Sequence, residues 1–177
     1  SYWAPTLLDP QGKPVPAADM KVYYQTTNAD HSKTVAPPPG LRMIAGNAKA
    51  TKANPGGPIY ISWRCAGGGG APAEPGGNAQ DMILCHEGKH VQNTVEFPNC
   101  WNGKDLDSPY HKSHMAYAYI NGGVCPSSHP VQIPTLIPEI EYATRGGVGY
   151  HPSSGEPISL HMDFWNTWDQ PTLDKLT

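Results

Sequence analysis

Glycine and proline interrupt this chain at short intervals, and they constrain its fold more than any other feature of the sequence. The 177 residues include 19 glycines and 20 prolines. Proline blocks the interior of a helix, and glycine costs about 1 kcal/mol there, so a bundle of long helices is excluded. Only 15 % of the residues are charged, which is too few for a typical charge-driven disordered chain. These features favour a folded chain built from short extended segments.

Several short runs between these breaks are rich in the β-branched and aromatic residues that favour strands. They lie at 22–24, 41–45, 59–64, 95–98, 115–120, 136–142 and 158–164. A helix is expected only at 170–176, and the glycine- and proline-rich stretch at 66–78 predicts a loop. We therefore predict a single domain over 1–177 that is mainly β, an antiparallel β-sandwich or jelly roll with long Gly/Pro-rich loops and little helix.

Cysteine usage predicts an exported protein with disulfide bonds. Cys65, Cys85, Cys100 and Cys125 form no Cys-x-x-Cys pair, so the usual spacing of a four-cysteine zinc site is missing. An even number of cysteines in a loop-rich chain of low charge favours disulfides and secretion; the alternative is four buried thiols in a cytosolic protein. Of three possible pairings we predict the sequential one, whose loops of about 20–25 residues would each contribute roughly 3 kcal/mol.

Charge and hydropathy exclude two classes of partner. The net charge of −3 lacks the basic field that broad nucleic-acid binding requires. The uninterrupted apolar runs are short, so no helix is expected to span a membrane. We expect a secreted monomer that binds neither nucleic acid nor membrane.

Histidines mark the candidate chemistry. His111 and His114 lie three residues apart just before a predicted strand, and on a turn or short helix both could face one side. A Cys100–Cys125 bridge would bring His129 back toward them. In a plainer interpretation, His111 and His114 only satisfy backbone carbonyls, and His129 is a turn residue.

His161 and Asp163 form a second candidate. At i and i+2 on a strand they share one face. An imidazole beside a carboxylate is what a general base with an orienting partner requires, and it is also an acceptable pair of metal ligands. The alternative is a buried structural hydrogen bond beside Trp165 and Trp168.

Arg42 and the aromatic residues are candidates for ligand binding. Arg42 is a lone cation in an apolar segment between glycines and must find a carboxylate or a ligand anion there; a structural ion pair is the plainer interpretation. Several aromatic residues could stack on sugar rings, although a core position is the plainer interpretation for most of them: Tyr2, Trp3, Trp101, Trp165 and Trp168.

Six segments in one order and spacing give the chain a family resemblance over nearly its whole length. They are YWAPTL at 2–7, GLRMIAGN at 40–47, FPNCWNG at 97–103, DSPYHKSHMAY at 107–117, CPSSHP at 125–130 and HMDFWNTW at 161–168. They resemble the secreted family of domains of unknown function numbered nineteen ninety-six, found in fungi and in actinobacteria. The resemblance implies export, disulfide pairing and a shared histidine-rich site. It implies no reaction, but the attachment of family members to cell-wall or carbohydrate-binding modules suggests polysaccharide as the ligand class.

The sequence departs from the family pattern in two places. Members usually begin with a further segment carrying a His-x-His pattern ahead of the block that starts at Tyr2, and we expect a site that uses this segment to be incomplete here. Members usually have aspartate where this chain has Asn102, so a role for a carboxylate at that position is not expected.

The first candidate function is a secreted carbohydrate-active protein that acts on or binds cell-wall polysaccharide, as a lyase or a hydrolase. A lyase would use His161 or His114 as base, Tyr117 as acid and Arg42 to neutralise a uronate. A hydrolase would pair Asp163 with Asp105 or Asp107. Taken together, the predicted catalytic residues are His111, His114, His161 and Asp163, and the predicted substrate-binding residues are Arg42, Tyr117, His129, Trp101 and Trp165.

Two other functions are weighed against it. In a non-catalytic module that binds a metal ion or a cell wall, His111, His114 and His161 would hold zinc or copper, together with His129 and Asp163. A secreted nuclease or phosphodiesterase ranks last, because the acidic balance of the chain does not suit a polyanionic substrate.

Overall fold

Short antiparallel strands make up most of the regular structure of this protein. The structure is a computed structural model and describes residues 1–55, 60–67 and 81–177. The strands are β1 (Tyr2–Trp3), β2 (Leu7–Leu8), β3 (Pro14–Val15), β4 (Ala17–Gln25), β5 (Arg42–Gly46), β6 (Ile61–Gly67), β7 (Lys89–Val95), β8 (Cys100–Trp101), β9 (Met115–Ala116), β10 (Val131–Gln132), β11 (Thr135–Tyr142), β12 (His151–Pro152) and β13 (His161–Trp165). The described part also contains one α-helix, α1 (Gln170–Leu176), and short 3₁₀ turns at His31–Lys33, Pro109–His111, Ala118–Asn121 and Pro157–Ser159.

Two sheets dominate the fold. One has the strand order β4-β11-β7-β6, the other has the order β1-β13-β5, and every pairing in them is antiparallel. Two smaller sheets, β10-β8-β9 and β12-β2-β3, complete the described strands. The predicted fold class, mainly β with antiparallel sheets and little helix, is confirmed.

One hydrophobic core is shared by both large sheets. Buried side chains of β6, β7 and β11 belong to the same cluster as those of β5 and β13. Trp63, Phe97 and Phe164 are almost completely buried in it, and the rings of Phe97 and Phe164 meet edge to face with their centroids 6.1 Å apart. Two sheets that bury their inner faces against each other are the arrangement of a sandwich.

The two disulfides have the predicted sequential pairing. Cys65 is bonded to Cys85 and Cys100 to Cys125, with sequence separations of 20 and 25 residues. The first bond ties β6 to the segment ahead of β7, and the second ties β8 to the loop that leads to β10.

The predicted strand at 115–120 is wrong beyond its first two residues. Met115–Ala116 is extended, but the chain then turns at Ala118–Asn121. The turn forms because the backbone N–H of Ala118 donates to Oδ1 of Asn99 at 3.0 Å and because Gly122 closes it in the left-handed region, with a φ of 64°.

The predicted strand at 95–98 is displaced, since β7 ends where that run begins. Because β7 is rich in polar residues, a search for runs of apolar side chains does not detect it. In the structure these residues are buried and bonded: Gln92 donates to Glu139 at 2.8 Å and Asn93 donates to Tyr142 at 3.1 Å.

The remaining predictions concern the loop and the tail. Of the loop predicted at 66–78, the first two residues end β6 and the rest lies outside the described residues, as does position 59 of a predicted strand. The tail helix predicted at 170–176 is α1, capped by the Asp169 carboxylate, which accepts from the Thr172 N–H. None of the helices in the described ranges has the length and hydropathy needed to cross a membrane.

Candidate functional site

The outer face of the β1-β13-β5 sheet carries several of the predicted site residues. Met162 and Phe164 of β13 are buried in the core. Since side chains alternate along a strand, Asp163 and Trp165 lie on the opposite, outer face. The register of β13 with β5 places Arg42 directly opposite Trp165.

This face forms an open groove of about 420 Å³, which we call the outer groove. Three strands and the loop at 107–114 supply its walls. The groove is lined by Trp3, Arg42, Ile44, His111, Asp163 and Trp165, together with the core residues Met43 and Phe164. It therefore brings together two predicted catalytic residues, His111 and Asp163, and two predicted substrate-binding residues, Arg42 and Trp165.

His111 is oriented by a carboxylate. Its Nδ1 lies 2.5 Å from Oδ1 of Asp107. Partial burial acts to raise the pKa of Asp107, but the hydrogen bonds from His111 and from the Ser108 N–H outweigh it and hold that pKa below its ordinary value. An ionised Asp107 only accepts, so Nδ1–H of His111 donates to it. The other ring nitrogen, Nε2, has no hydrogen-bond partner among the described residues, and in the neutral ring it carries the lone pair.

The backbone at this point is strained. Tyr110 and His111 have φ values of 62° and 54°, and they are the only non-glycine residues of the described ranges in the left-handed region. Such conformations cost about 1 kcal/mol or more each and persist where surrounding contacts enforce them, often at functional sites. Two contacts hold the loop on β5: the His114 ring bonds to the carbonyl of Arg42, and the Lys112 ammonium group bonds to the carbonyl of Gly46.

His114 holds this loop in place. Its side chain is buried, Nε2 lies 2.7 Å from the Arg42 carbonyl oxygen, and Nδ1 lies 2.7 Å from the Ser108 hydroxyl. A carbonyl can only accept, so Nε2 carries the proton, and Nδ1 accepts from Ser108. Burial lowers the pKa of His114 despite the opposing effect of the Arg42 carbonyl. His114 is thus a neutral side chain with both nitrogens occupied, which suits it to positioning.

Arg42 and Asp163 supply the charges that face the groove. The Arg42 guanidinium lies over the Trp165 ring, 4.5 Å from its centroid, in cation–π contact. Its nearest carboxylate oxygen, on Asp107, is 4.0 Å away. The Asp163 carboxylate has neither an ion pair nor a hydrogen bond within the part of the chain that the structure describes, so it remains available to a ligand.

The other predicted site residues lie outside this groove, and each is engaged elsewhere. The Nδ1–H of His161 donates to the Ser159 carbonyl at 2.9 Å. The ring nitrogens of His129 bond to the Ser113 carbonyl and the Ser128 hydroxyl. The Tyr117 hydroxyl donates to the Glu96 carbonyl at 3.0 Å, and Nε1 of Trp101 donates to the Asp105 carbonyl at 2.7 Å.

The imidazoles predicted as metal ligands are not gathered. Within residues 1–55, 60–67 and 81–177, no three His, Cys, Asp or Glu side chains lie close enough to hold a metal ion together. Of the three predicted ligands, His111 lines the groove and His114 is buried with both nitrogens bonded. We therefore derive no chemical step through a metal.

The sequence analysis does not predict the roles of two residues of this region, Asp107 and Lys112. It names Asp107 only as one of two possible hydrolytic carboxylates, although the i,i+4 spacing of Asp107 to His111 is a signal for such a pair. Trp3, 53 % exposed at the groove, is one of the aromatic residues expected to stack on sugar rings, but no pattern in the sequence distinguishes it from the others. Lys112 carries no sequence signal beyond lying next to His111.

Comparisons with known proteins identify a family and nothing finer. A family model described as a domain of unknown function (DUF1996) matches residues 1–168. No curated protein and no solved structure matches the chain significantly.

Proposed function

This chain belongs to the family of the domain of unknown function (DUF1996), and since that description names no reaction, we propose a function from the chain's own residues. The protein is secreted, binds polysaccharide in the outer groove and hydrolyses it by general acid–base catalysis. The two disulfides are compatible with an extracellular location, because such bonds persist in oxidising compartments.

One arrangement supports this proposal above all others. His111 is held by Asp107 through Nδ1, and its Nε2 is left open in a groove that also contains the unpaired carboxylate of Asp163. A base with an orienting carboxylate beside a second acid–base group is the equipment that proton transfer in catalysis requires. The strained backbone at His111 has no evident structural purpose, which agrees with a functional one.

The proposed step transfers protons in both directions. Nε2 of His111 removes a proton from a bound water molecule, whose oxygen bonds to the anomeric carbon as the glycosidic C–O bond breaks. Asp163, in its protonated form, gives its proton to the departing sugar oxygen. The imidazolium that forms is stabilised by Asp107 and then releases its proton to solvent, while Asp163 takes up a proton from solvent, so both groups return to their starting states.

Hydrolysis is favoured over elimination by the charges in the groove. Elimination needs a carboxylate on the reacting sugar, and that carboxylate must be neutralised. Here Arg42 already has Asp107 at 4.0 Å, and this carboxylate offsets the positive charge that the sugar carboxylate would need. A neutral sugar is therefore the better occupant, and the exposed side chains of Trp3 and Trp165 offer it apolar contact.

The test compares polysaccharide cleavage by the protein with that by two groove variants. His111→Asn removes the base but suits the left-handed backbone, because asparagine tolerates positive φ, and Asp163→Asn removes the carboxylate at constant shape. We expect each to lower the rate of release of reducing ends about 100-fold or more, with binding changed far less. The matched control is His86→Ala, which removes an exposed imidazole that lines none of the described pockets.

The outcomes separate the candidate functions. Binding of polysaccharide without cleavage, unchanged in His111→Asn, identifies a non-catalytic wall-binding module and overturns the proposal. Unsaturated products instead of hydrolysed ones would assign elimination. Cleavage that survives in both groove variants would exclude this groove as the active site.

A further inference from the structure

A second pocket adjoins the outer groove on the other side of Ile44. Its volume is about 550 Å³, within the range of small-molecule sites. Ile44 lines both cavities, and the consecutive residues His111 and Lys112 line one each. The loop that carries the proposed base therefore forms the wall between two neighbouring cavities. We call the second one the lysine pocket.

The lysine pocket is apolar apart from one cation. Ile44, Pro98, Met115, Ile120 and Pro126 contribute apolar surface, and among the described residues that line it none is acidic. Its other polar side chains are already bonded within the protein: the Tyr117 hydroxyl donates to the Glu96 carbonyl, and the Asn121 amide donates to the Val124 carbonyl.

Lys112 has hydrogen-bonding capacity to spare. Its Nζ donates to the Gly46 carbonyl at 2.5 Å, and an ammonium group has three N–H donors. No carboxylate of the described ranges pairs with it, in contrast to Lys33, which lies 2.8 Å from Asp30. Lys112 is exposed as a whole residue, but partial burial lowers its pKa, and an anion bound to its ammonium group would offset this loss of hydration.

We propose that the lysine pocket binds an acidic sugar unit of the polysaccharide, with the sugar carboxylate on the Lys112 ammonium group. The inference rests on the proposed function, because it takes the outer groove as the place where the same glycan is cleaved. Apolar side chains contact the C–H faces of the sugar, and the lone cation selects its charge. The two cavities then prefer different units: a neutral sugar beside Asp163 and a uronate beside Lys112. The substrate class is a heteropolysaccharide that contains uronic acid.

Charge complementarity decides between this occupant and others. A neutral sugar would leave the Lys112 ammonium group partly dehydrated and without an anion, which costs free energy. A purely apolar ligand would do the same. A polymer is favoured over a free carboxylic acid because the pocket is continuous with the groove through Ile44.

The experiment measures binding of paired oligosaccharides to the intact protein. The probes are oligomers containing galacturonate, glucuronate, mannuronate or guluronate, each compared with the same oligomer after its carboxyl groups are reduced to alcohols. We expect at least one acidic oligomer to bind about tenfold more tightly than its reduced form, which corresponds to about 1.4 kcal/mol, and this preference to weaken as salt is added.

Three lysine variants assign the preference to the pocket. Lys112→Met keeps the apolar stem and should bring the paired affinities within about twofold, whereas Lys112→Arg keeps the charge and should retain most of the preference. Lys49→Met is the matched control, since it changes the net charge equally at an exposed lysine that lines none of the described pockets.

Failure of this inference is distinguishable from failure of the proposed function. The acidic-sugar site is overturned if every acidic oligomer binds as tightly as its reduced form, or if the preference is undiminished in Lys112→Met. In either case, cleavage of a reduced oligomer would still support hydrolysis in the outer groove. If Lys112→Met no longer cleaves the reduced oligomer, Lys112 is a positioning residue for His111, and the acidic-sugar site is also overturned. A preference that depends on Lys112, without cleavage, would retain the site and refute hydrolysis. Absence of binding to all probes would refute both.

Discussion

Replacement of His114 by alanine should destabilise the protein by about 3 kcal/mol near neutral pH. The buried ring makes two hydrogen bonds of 2.7 Å, to the Arg42 carbonyl and the Ser108 hydroxyl. Each contributes about 1 kcal/mol, and loss of the buried ring adds about 1 kcal/mol more. Since the ring ties the 107–114 loop to β5, the substitution should also loosen the position of His111.

The same variant has a pH signature that tests the protonation state of His114. Burial lowers the native pKa, while the unfolded value is about 6.5. Above that value the ring is neutral in both states, so its full contribution to stability is present. As the pH falls below about 6.5, the unfolded chain takes up the proton first, and the contribution declines by up to about 1.4 kcal/mol per pH unit until the native pKa is passed.

Urea unfolding with intact disulfides, followed by tryptophan fluorescence, measures both effects. The difference in free energy of unfolding between the protein and His114→Ala should shrink from about pH 7.5 to about pH 5, by at most about 1.4 kcal/mol per pH unit. A difference that stays constant or grows toward acid pH would refute a neutral, buried His114. A difference below about 1 kcal/mol at neutral pH would refute its role in holding the loop.

Three further substitutions test other parts of the fold by the same unfolding assay. Joint replacement of Cys100 and Cys125 by alanine should lower stability by about 3 kcal/mol, because their bond closes a loop with a separation of 25 residues; an unchanged midpoint would contradict this. Gly46→Ala should cost about 3 kcal/mol more than Gly12→Ala. Both glycines have similar positive φ, but a Cβ at Gly46 would clash with the Leu160 carbonyl oxygen, whereas one at Gly12 meets nothing within 4 Å. Equal losses of stability in the two variants would refute this clash. Tyr110→Asn should raise stability by about 0.5–1 kcal/mol, since Tyr110 is 84 % exposed and has a φ of 62°, which asparagine tolerates better. A loss of stability would show that the Tyr110 ring makes stabilising contacts.

The parts of the fold that sequence predicts well are those in which side-chain alternation coincides with burial. In β11, Leu136, Ile140 and Tyr142 are buried while Glu139 and Glu141 are less so, and this pattern is visible in the sequence. The disulfide pairing also follows from the short loops it closes. In β7, by contrast, the buried polar residues Gln92 and Asn93 donate hydrogen bonds to side chains of β11, and only this partner strand explains why they are tolerated.

The candidate site is predictable in its residue types and only partly in its pairings. His161 and Asp163 share a strand face as predicted, but the His161 ring bonds to the Ser159 carbonyl. The imidazole–carboxylate pair that forms is His111 with Asp107. It depends on the positive φ of Tyr110 and His111. No glycine at positions 110 and 111 marks this backbone conformation in the sequence. The contacts that hold it are made with β5, which is distant in the sequence.

The walls of the outer groove come from segments that lie far apart in the sequence. Trp3 stands across from Asp163 in the register of β1 with β13, and no shorter stretch of the chain contains both sides. The groove therefore cannot form until the segment that carries β13 has been synthesised and has paired with β1 and β5. A sugar in contact with both Trp3 and Trp165 would bridge segments that are distant in the sequence and would resist their separation.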